Sequence, residues 1–519
     1  MIEVEVNSFL PETTCMSSQK GSDYYRNKLQ LVDKHGPCSP LGKKNLSIEE
    51  ILLEDQLRVR SIHSMIGKQF SPRDYKAKIP TKAGYSLKTG NFIVNIGLGT
   101  PKKYFWVSID TGSSLTWIRC QPCSNCSAPT FNPSKSSSYS SISCTSPDCS
   151  QLGSNKYNSP QCTNCMYQIH YADTDFSIGN FGREKLTLTS SDVVPSFQFG
   201  CGLRNSLGDS TSGLLGLGPK QVSLVSQTAA KFGKVFSYCF PRSASSTGYL
   251  AFGNQTGATS SGVKYTQMRA LSRLPDNYFV LLMGISVNGQ RLNISSSAFT
   301  DPGTIIDSGS LVTHLPRSAY NILRAAFQRA MSNYPSAPPT RTLDTCYNLS
   351  RNRTVNVPAI TLHFEGGTDI QLDPFSGVLF KISAVQYCLA FAPNRDLVDQ
   401  TIIGNLQQRT YEVIYDVPRG SIAAHHCPPP PPATPPPPLS ATLPKVGGGG
   451  AGGFSAQATT SAHQCRCRLC LHPPQAIFPE AEVEVAALGR KITTSATAAA
   501  SAQTTSDNVA EGGGEGGQR

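Results

Sequence analysis

The strongest constraint on this 519-residue chain is a short motif that occurs twice. Ser108-Ile-Asp-Thr-Gly-Ser113 closes an apolar run that starts at Phe105, and Gly303-Thr-Ile-Ile-Asp-Ser-Gly-Ser310 repeats it in the second half. At ordinary composition one Asp-Ser/Thr-Gly tripeptide is expected about 0.2 times in such a length, so two copies, both led in by β-formers, are not noise. Each reads as a buried strand that delivers one carboxylate, Asp110 or Asp307, into a tight turn. The repeat extends further: Leu214-Leu-Gly216 follows Asp110 at nearly the spacing with which Ile402-Ile-Gly404 follows Asp307. That order predicts two homologous lobes that each present one carboxylate to a shared cleft.

Two carboxylates held within hydrogen-bonding distance do not both ionise easily, and the pair keeps one proton over a wide acidic range. The charged member can act as base toward a water lying between them, while the protonated member donates to a carbonyl. This chemistry suits peptide hydrolysis through a tetrahedral diol and asks for no cofactor and no metal. Gly112 and Gly309 permit the tight turns and let backbone N–H groups approach the carboxylates. Thr111, Ser113, Ser308 and Ser310 supply hydroxyls across the dyad and outward from it. A lone Asp of this kind is ordinarily a turn residue at a strand end; the matching pair is what points to catalysis.

The rest of the chain predicts a mostly β protein. Period-two alternation begins at Phe92, Val94 and Ile96, and strand-like runs recur at 193–199, 278–287, 360–364 and 410–415. A helix is expected over 318–331, with Tyr320, Leu323, Phe327 and Met331 on one face. A second is expected over 47–63, opened by a Ser47/Glu50 capping box, with an imperfect apolar face of Ile48, Ile51, Leu52, Leu57, Val59 and Ile62. Four spans follow: a polar prosegment over 1–78, an N-terminal lobe over 79–265, a C-terminal lobe over 266–427, and a Pro/Gly-rich tail over 428–519 expected to be disordered. No run of eighteen apolar residues is present, so no helical membrane span is expected.

The net charge of +12 is scattered singly, without a Lys/Arg-rich block, which argues against a nucleic-acid partner. Seventeen cysteines point to an oxidising compartment. Cys120-Gln-Pro-Cys123-Ser-Asn-Cys126 has zinc-ligand spacing, but its Ser/Asn/Pro surroundings favour disulfides, and Gln464-Cys-Arg-Cys-Arg-Leu-Cys470 lacks a scaffold for a metal. Sequons at Asn125, Asn254, Asn293, Asn348 and Asn352 add candidate glycosylation sites. The secretory route is therefore expected, with an extracellular or vacuolar destination; Met1-Ile-Glu-Val-Glu-Val-Asn does not read as a signal peptide, so a start upstream is expected, with unconventional targeting as the alternative.

Over roughly residues 30–420 the sequence resembles the pepsin family of aspartic endopeptidases, and more closely the plant branch of nepenthesin and the chloroplast nucleoid DNA-binding protein-like proteases. The resemblance rests on both Asp turns, on Leu29-Gln-Leu-Val-Asp-Lys-His-Gly-Pro-Cys-Ser-Pro40, on Val59-Arg-Ser-Ile-His63 and on Asn91-Phe-Ile-Val-Asn-Ile-Gly-Leu-Gly-Thr-Pro101. It implies a bilobal pepsin-like fold, a zymogen active at acidic pH, a monomer acting on protein or peptide substrates, and Asp110 and Asp307 as the catalytic pair. It also implies six disulfides among Cys120, Cys123, Cys126, Cys144, Cys149, Cys162, Cys165, Cys201, Cys239, Cys346, Cys388 and Cys427. Tyr171 matches the tyrosine of the flap that closes over substrate, and Trp117 the tryptophan that hydrogen-bonds it, while Ala172 and Thr174 replace flap glycines. The branch expects a Gly-Phe-containing last strand; here Arg419-Gly-Ser-Ile-Ala-Ala-His-His-Cys427 runs into proline, which puts that strand in question. Two other readings stay open: a catalytically silent pepsin-like inhibitor or binding protein, and a DNA-binding protease, with a plastid location, from the nucleoid-protein likeness.

Overall fold

The computed structural model describes residues 1–6, 15, 27–41, 46–67, 92–123, 126, 128–158, 162–171, 175–206, 211–253, 256, 263–269, 275–300, 303–395 and 400–428. The expected tail, Cys465 to Cys470 within it, and flap positions 172–174 lie outside them. The N-terminal segment contributes strands β1 (Ile2–Glu5) and β2 (Leu29–Asp33) and helix α1 (Ile48–Gly67). In the first lobe follow β3 (Phe92–Leu98), β4 (Lys103–Asp110), β5 (Trp117–Arg119), β6 (Met166–Tyr171), β7 (Asp175–Thr187), β8 (Gly213–Gly216), β9 (Val235–Cys239) and β10 (Thr247–Phe252). The second lobe is built on β11 (Thr304–Ile306), β12 (Thr313–Leu315), α2 (Arg317–Ala330), β13 (Thr401–Ile403), β14 (Tyr411–Asp416) and β15 (Ser421–His426). The fold is mostly β and bilobal.

The sequence repeat is a repeat of topology. In the first lobe β4 runs parallel to β8, with Asp110 opposite Gly216, and β8 also pairs antiparallel with β5. In the second, β11 runs parallel to β13, with Ile306 opposite Ile403, and β13 pairs with β12 at His314–Ile402. Each Asp strand is thus gripped by the apolar-apolar-Gly strand of its own lobe. These strands are buried on both faces, which is why their side chains form unbroken apolar runs rather than alternating ones. Helix α2 buries Tyr320, Leu323 and Phe327 as the 3.6-residue period predicts.

One continuous sheet crosses between the lobes. Strand β9 pairs antiparallel with β14 over five residues, β10 pairs with β9 on its other side, and β2 lies between β10 and β3. The N-terminal segment is therefore woven into the body, and β1 adds a further strand on Thr354–Val357 of the second lobe.

The altered C-terminus forms its strand. β15 pairs with β14 from Ser421↔Asp416 to His426↔Tyr411 and takes Tyr265–Gln267 on its other edge. Ladder bonds come from the backbone, so the unusual side chains do not prevent them, and Ile422 and Ala423 are fully buried. The side chains leave a different trace. A cavity of about 50 Å³ lies beneath β15, lined by Leu362, Phe364, Ile370, Tyr411, Ala423 and Ala424. Filling such a space commonly adds about 1 kcal/mol. Ala424→Leu should therefore raise the melting temperature by roughly 2–4 °C; an unchanged or lower value in differential scanning calorimetry would show that the space does not accept a side chain.

Five disulfides join ten of the twelve cysteines: Cys120–Cys201, Cys123–Cys126, Cys149–Cys165, Cys239–Cys427 and Cys346–Cys388. Cys144 and Cys162 are not joined, in contrast to the six bridges expected; the Cys144 thiol donates instead to the Cys162 carbonyl at 2.7 Å. A further bridge, Cys15–Cys38, lies within the N-terminal segment and was not anticipated. Of the sequon residues, Asn293 and Asn348 are exposed and Asn352 is half-buried, while Asn125 and Asn254 fall outside the described residues. No described helix is long and apolar enough to cross a membrane.

Candidate active site

Asp110 ends β4 and Asp307 follows β11, and both side chains are buried. Their surroundings match atom for atom. Asp110 accepts from the Gly112 N–H at 2.9 Å and the Ser113 hydroxyl at 2.7 Å. Asp307 accepts from the Gly309 N–H at 3.2 Å and the Ser310 hydroxyl at 2.6 Å. The two turns are laced together at their roots: the Ser308 N–H donates to Thr111 Oγ1 at 3.0 Å, and the Thr111 N–H donates to Ser308 Oγ at 3.1 Å. All eight residues singled out in the two motifs thus meet at one place between the lobes. The glycines are required by close approach: a Cβ on Gly112 would sit 3.1 Å from Asp307 Oδ1 and 3.3 Å from Asp110 Oδ1.

Tyr171, at the end of β6, accepts a hydrogen bond from Trp117 Nε1 at 2.8 Å. Burial pushes the Tyr171 phenol far above its ordinary range, so it is a neutral hydroxyl throughout the acidic range. It is the last residue of β6 before the turn of the β6–β7 hairpin, paired with Asp175, and lies within the electrostatic reach of Asp110.

The space between the carboxylates is filled from the N-terminal segment. Arg58 of α1 places Nη2 2.7 Å from Asp110 Oδ1 and 2.7 Å from Asp307 Oδ1, and donates Nε to Asp307 Oδ2 at 2.8 Å. The two Oδ1 atoms share one nitrogen, so they lie no farther apart than twice that distance. Burial alone would lower the affinity of the guanidinium for its proton, but the two carboxylates outweigh it and hold Arg58 charged. Burial pushes Asp307 up, yet Arg58, the Ser310 hydroxyl and the Gly309 N–H together hold it below the usual carboxylate range.

Three turns of α1 follow the cleft. Leu52 packs among Leu311, Val312, Leu343 and Leu406, and Val59 and Ile62 pack against Phe279, Ile305 and Ile402. Between these anchors Asp55 accepts from the Leu311 N–H and lies 3.4 Å from His314 Nε2. The capping box forms as expected, with the Ser47 N–H donating to Glu50 at 2.8 Å and the Glu50 N–H to Ser47 at 3.2 Å. Asp55 and Arg58 were missed in the sequence. Their signal was the imperfection itself: positions 52, 55, 59 and 62 form one face, and of the charged residues on or beside that stripe Arg58 is aimed at the dyad and Asp55 at the backbone just after the Asp307 turn.

Comparison with known proteins bears on the family and the fold. A family model described as "Xylanase inhibitor N-terminal" matches residues 92–254, and one described as "Xylanase inhibitor C-terminal" matches 277–423. The Arabidopsis thaliana "Aspartyl protease family protein At5g10770" is 41% identical over 435 residues, covering 81% of this chain and 91% of that protein. "Aspartyl protease AED1" of the same plant is 41% identical, covering 81% and 90%, and "Aspartic proteinase nepenthesin-2" of Nepenthes gracilis is 34% identical, covering 72% and 85%. Among solved structures, edgp superposes with a TM-score of 0.53 at 21% identity, covering 66% of this chain and 92% of that one, a likeness that speaks for the fold alone.

Proposed function

This chain belongs to the plant aspartic proteases of the pepsin family, and from that premise we propose that it is an endopeptidase made as a zymogen and active at acidic pH. The observation that carries the reading is Arg58, a cation bound to both carboxylates at once. A segment that places a charged side chain between Asp110 and Asp307 occupies the position where a scissile peptide would have to lie. Among the described residues the N-terminal segment has no disulfide to the body, its own bridge being internal, so after a cut near residue 78 only non-covalent contacts, the pairing of β1 and β2 and the packing of α1, would hold it.

With Arg58 withdrawn, the two carboxylates share one proton. The ionised one removes a proton from water as the water oxygen bonds to the substrate carbonyl carbon, and the protonated one donates to the carbonyl oxygen. The diol then collapses: the amine nitrogen takes a proton from the dyad, the C–N bond breaks, one diol hydroxyl returns its proton to the dyad, and a carboxylic acid and an amine leave. Tyr171 stands over the cleft as the flap residue, held by Trp117. The disulfides support a secreted or vacuolar location.

The competing reading is a silent inhibitor on the same fold, which the description of the matching family models favours. A complete dyad with all its hydroxyl and N–H donors favours the enzyme. Acidified full chain should cleave an acid-denatured protein, and a pepstatin-type diol mimic should stop it. Absence of cleavage across the acidic range, with xylanase inhibition in its place, would support the inhibitor.

A further inference from the structure

Behind the dyad, on the side away from the cleft, a buried polar network connects the lobe-crossing sheet to the Asp307 turn. Gln408, just after β13, donates Nε2 to the Asp307 carbonyl at 3.1 Å and to the Ile403 carbonyl at 3.0 Å. Its Oε1 accepts from the Tyr238 hydroxyl of β9. Only this orientation of the amide satisfies all three contacts, since two carbonyls need donors and a phenol proton needs an acceptor. The single proton of Tyr238 is committed to Gln408, so at the 2.9 Å contact between the two phenols Tyr415 of β14 must be the donor. Tyr415 and Tyr238 lie on the two paired strands, β14 and β9, that join the lobes.

The contacts form a chain: Asp307 carbonyl, Gln408, Tyr238 and Tyr415. It ties the Asp307 turn to both strands that join the lobes. All three side chains are almost fully buried, with Tyr238 and Tyr415 at 0% and Gln408 at 4% exposure. Burial raises both phenols far above the acidic range, so they stay neutral donors wherever the dyad works. In a dry environment each member's loss leaves a buried donor or acceptor unpaired.

We infer that Gln408 is a positioning residue for peptide hydrolysis, setting Asp307 opposite Asp110 by tethering its carbonyl to Tyr238 and Tyr415 of the lobe-crossing sheet. It touches neither substrate nor the reacting oxygens. The inference rests on the proposed protease reading. It also gives the atypical C-terminus a consequence, because β15 backs the strand that carries Tyr415.

The test is the pH profile of kcat and KM for acid-activated full chain, wild type against Gln408→Leu, Gln408→Glu and Tyr238→Phe. Small misplacements of reacting groups cost up to about a hundredfold. Gln408→Leu should accordingly lose about tenfold to a hundredfold in kcat with KM within about twofold. Gln408→Glu supplies the specific readout. When protonated, the new carboxyl offers one donor to the Asp307 carbonyl and one acceptor to Tyr238; when ionised it offers no donor. Its kcat should approach wild type at the acidic end and fall to that of Gln408→Leu as pH rises, moving the upper limb of the profile downward. Tyr238→Phe, which removes one oxygen and keeps the ring, should show a smaller loss in kcat and covers the case in which Gln408→Leu does not fold. Wild-type kcat and profile in all folded variants would overturn the inference. So would a loss in Gln408→Glu that equals the loss in Gln408→Leu at every pH. A wild-type chain that hydrolyses nothing sinks the protease reading and this inference with it.

Discussion

Asp110→Asn and Asp307→Asn should each reduce hydrolysis of an acid-denatured protein by more than about a thousandfold, the scale on which removing an essential acid or base acts. An amide cannot serve as base toward water, and at either position it ends the sharing of one proton between two carboxylates. The fold should survive, because asparagine can keep its oxygen toward the Gly112 or Gly309 N–H, while its NH2 replaces the oxygen beside the Ser113 or Ser310 hydroxyl, which can turn and accept from it. Circular dichroism and a melting curve on the same samples separate loss of chemistry from loss of structure. Undiminished cleavage by either folded variant would remove the dyad from the mechanism.

Arg58→Met should loosen α1 without unfolding the body. Removing one partner of a buried ion pair costs roughly 3–5 kcal/mol, which corresponds to a shift in the docking equilibrium of more than about a hundredfold. Leu52, Val59 and Ile62 keep their apolar contacts, so the variant should still dock weakly at neutral pH. The sign of the pH effect follows from Asp307, whose carboxyl lies below its ordinary range while Arg58 is bound. Such a group favours docking fully above the ordinary carboxylate pKa of about 4, and the contribution is lost as pH falls through the lowered value. Wild type should therefore stay latent at neutral pH and open in acid. Arg58→Met should process itself at a pH where wild type does not, with less dependence on acid, as measured by mass spectrometry of the chain over time.

What the sequence made legible followed from local rules. The β class, the repeated Asp strand with its apolar-apolar-Gly partner, the capping box at Ser47 and the apolar face of the second helix all depend on neighbours a few residues apart. The family could be recognised for the same reason, from contiguous motifs. What stayed hidden depends on contacts across the fold. Asp55 and Arg58 look like flaws in an amphipathic helix until the helix is laid against the dyad. The place of β2 inside the lobe-crossing sheet is invisible in Leu29-Gln-Leu-Val-Asp33 alone, because nothing local says which strands lie on either side. The doubt over the last strand came from side chains at 419–427, whereas the strand is held by backbone bonds on both edges and by Cys239–Cys427. Gln408 reads as one of two ordinary glutamines until its amide is seen between a tyrosine and the Asp307 carbonyl.

The account turns on Arg58 and the dyad blocking each other until acid separates them. The direct measurement is a time course of the intact chain shifted from neutral to acidic pH, followed by mass and by peptide hydrolysis, with Asp307→Asn alongside. Wild type should lose a fragment cut near residue 78 and gain pepstatin-sensitive activity in step, while Asp307→Asn stays whole and silent. If hydrolysis instead appears at neutral pH with residues 1–78 still attached and docked, Arg58 does not guard the site and the account is wrong.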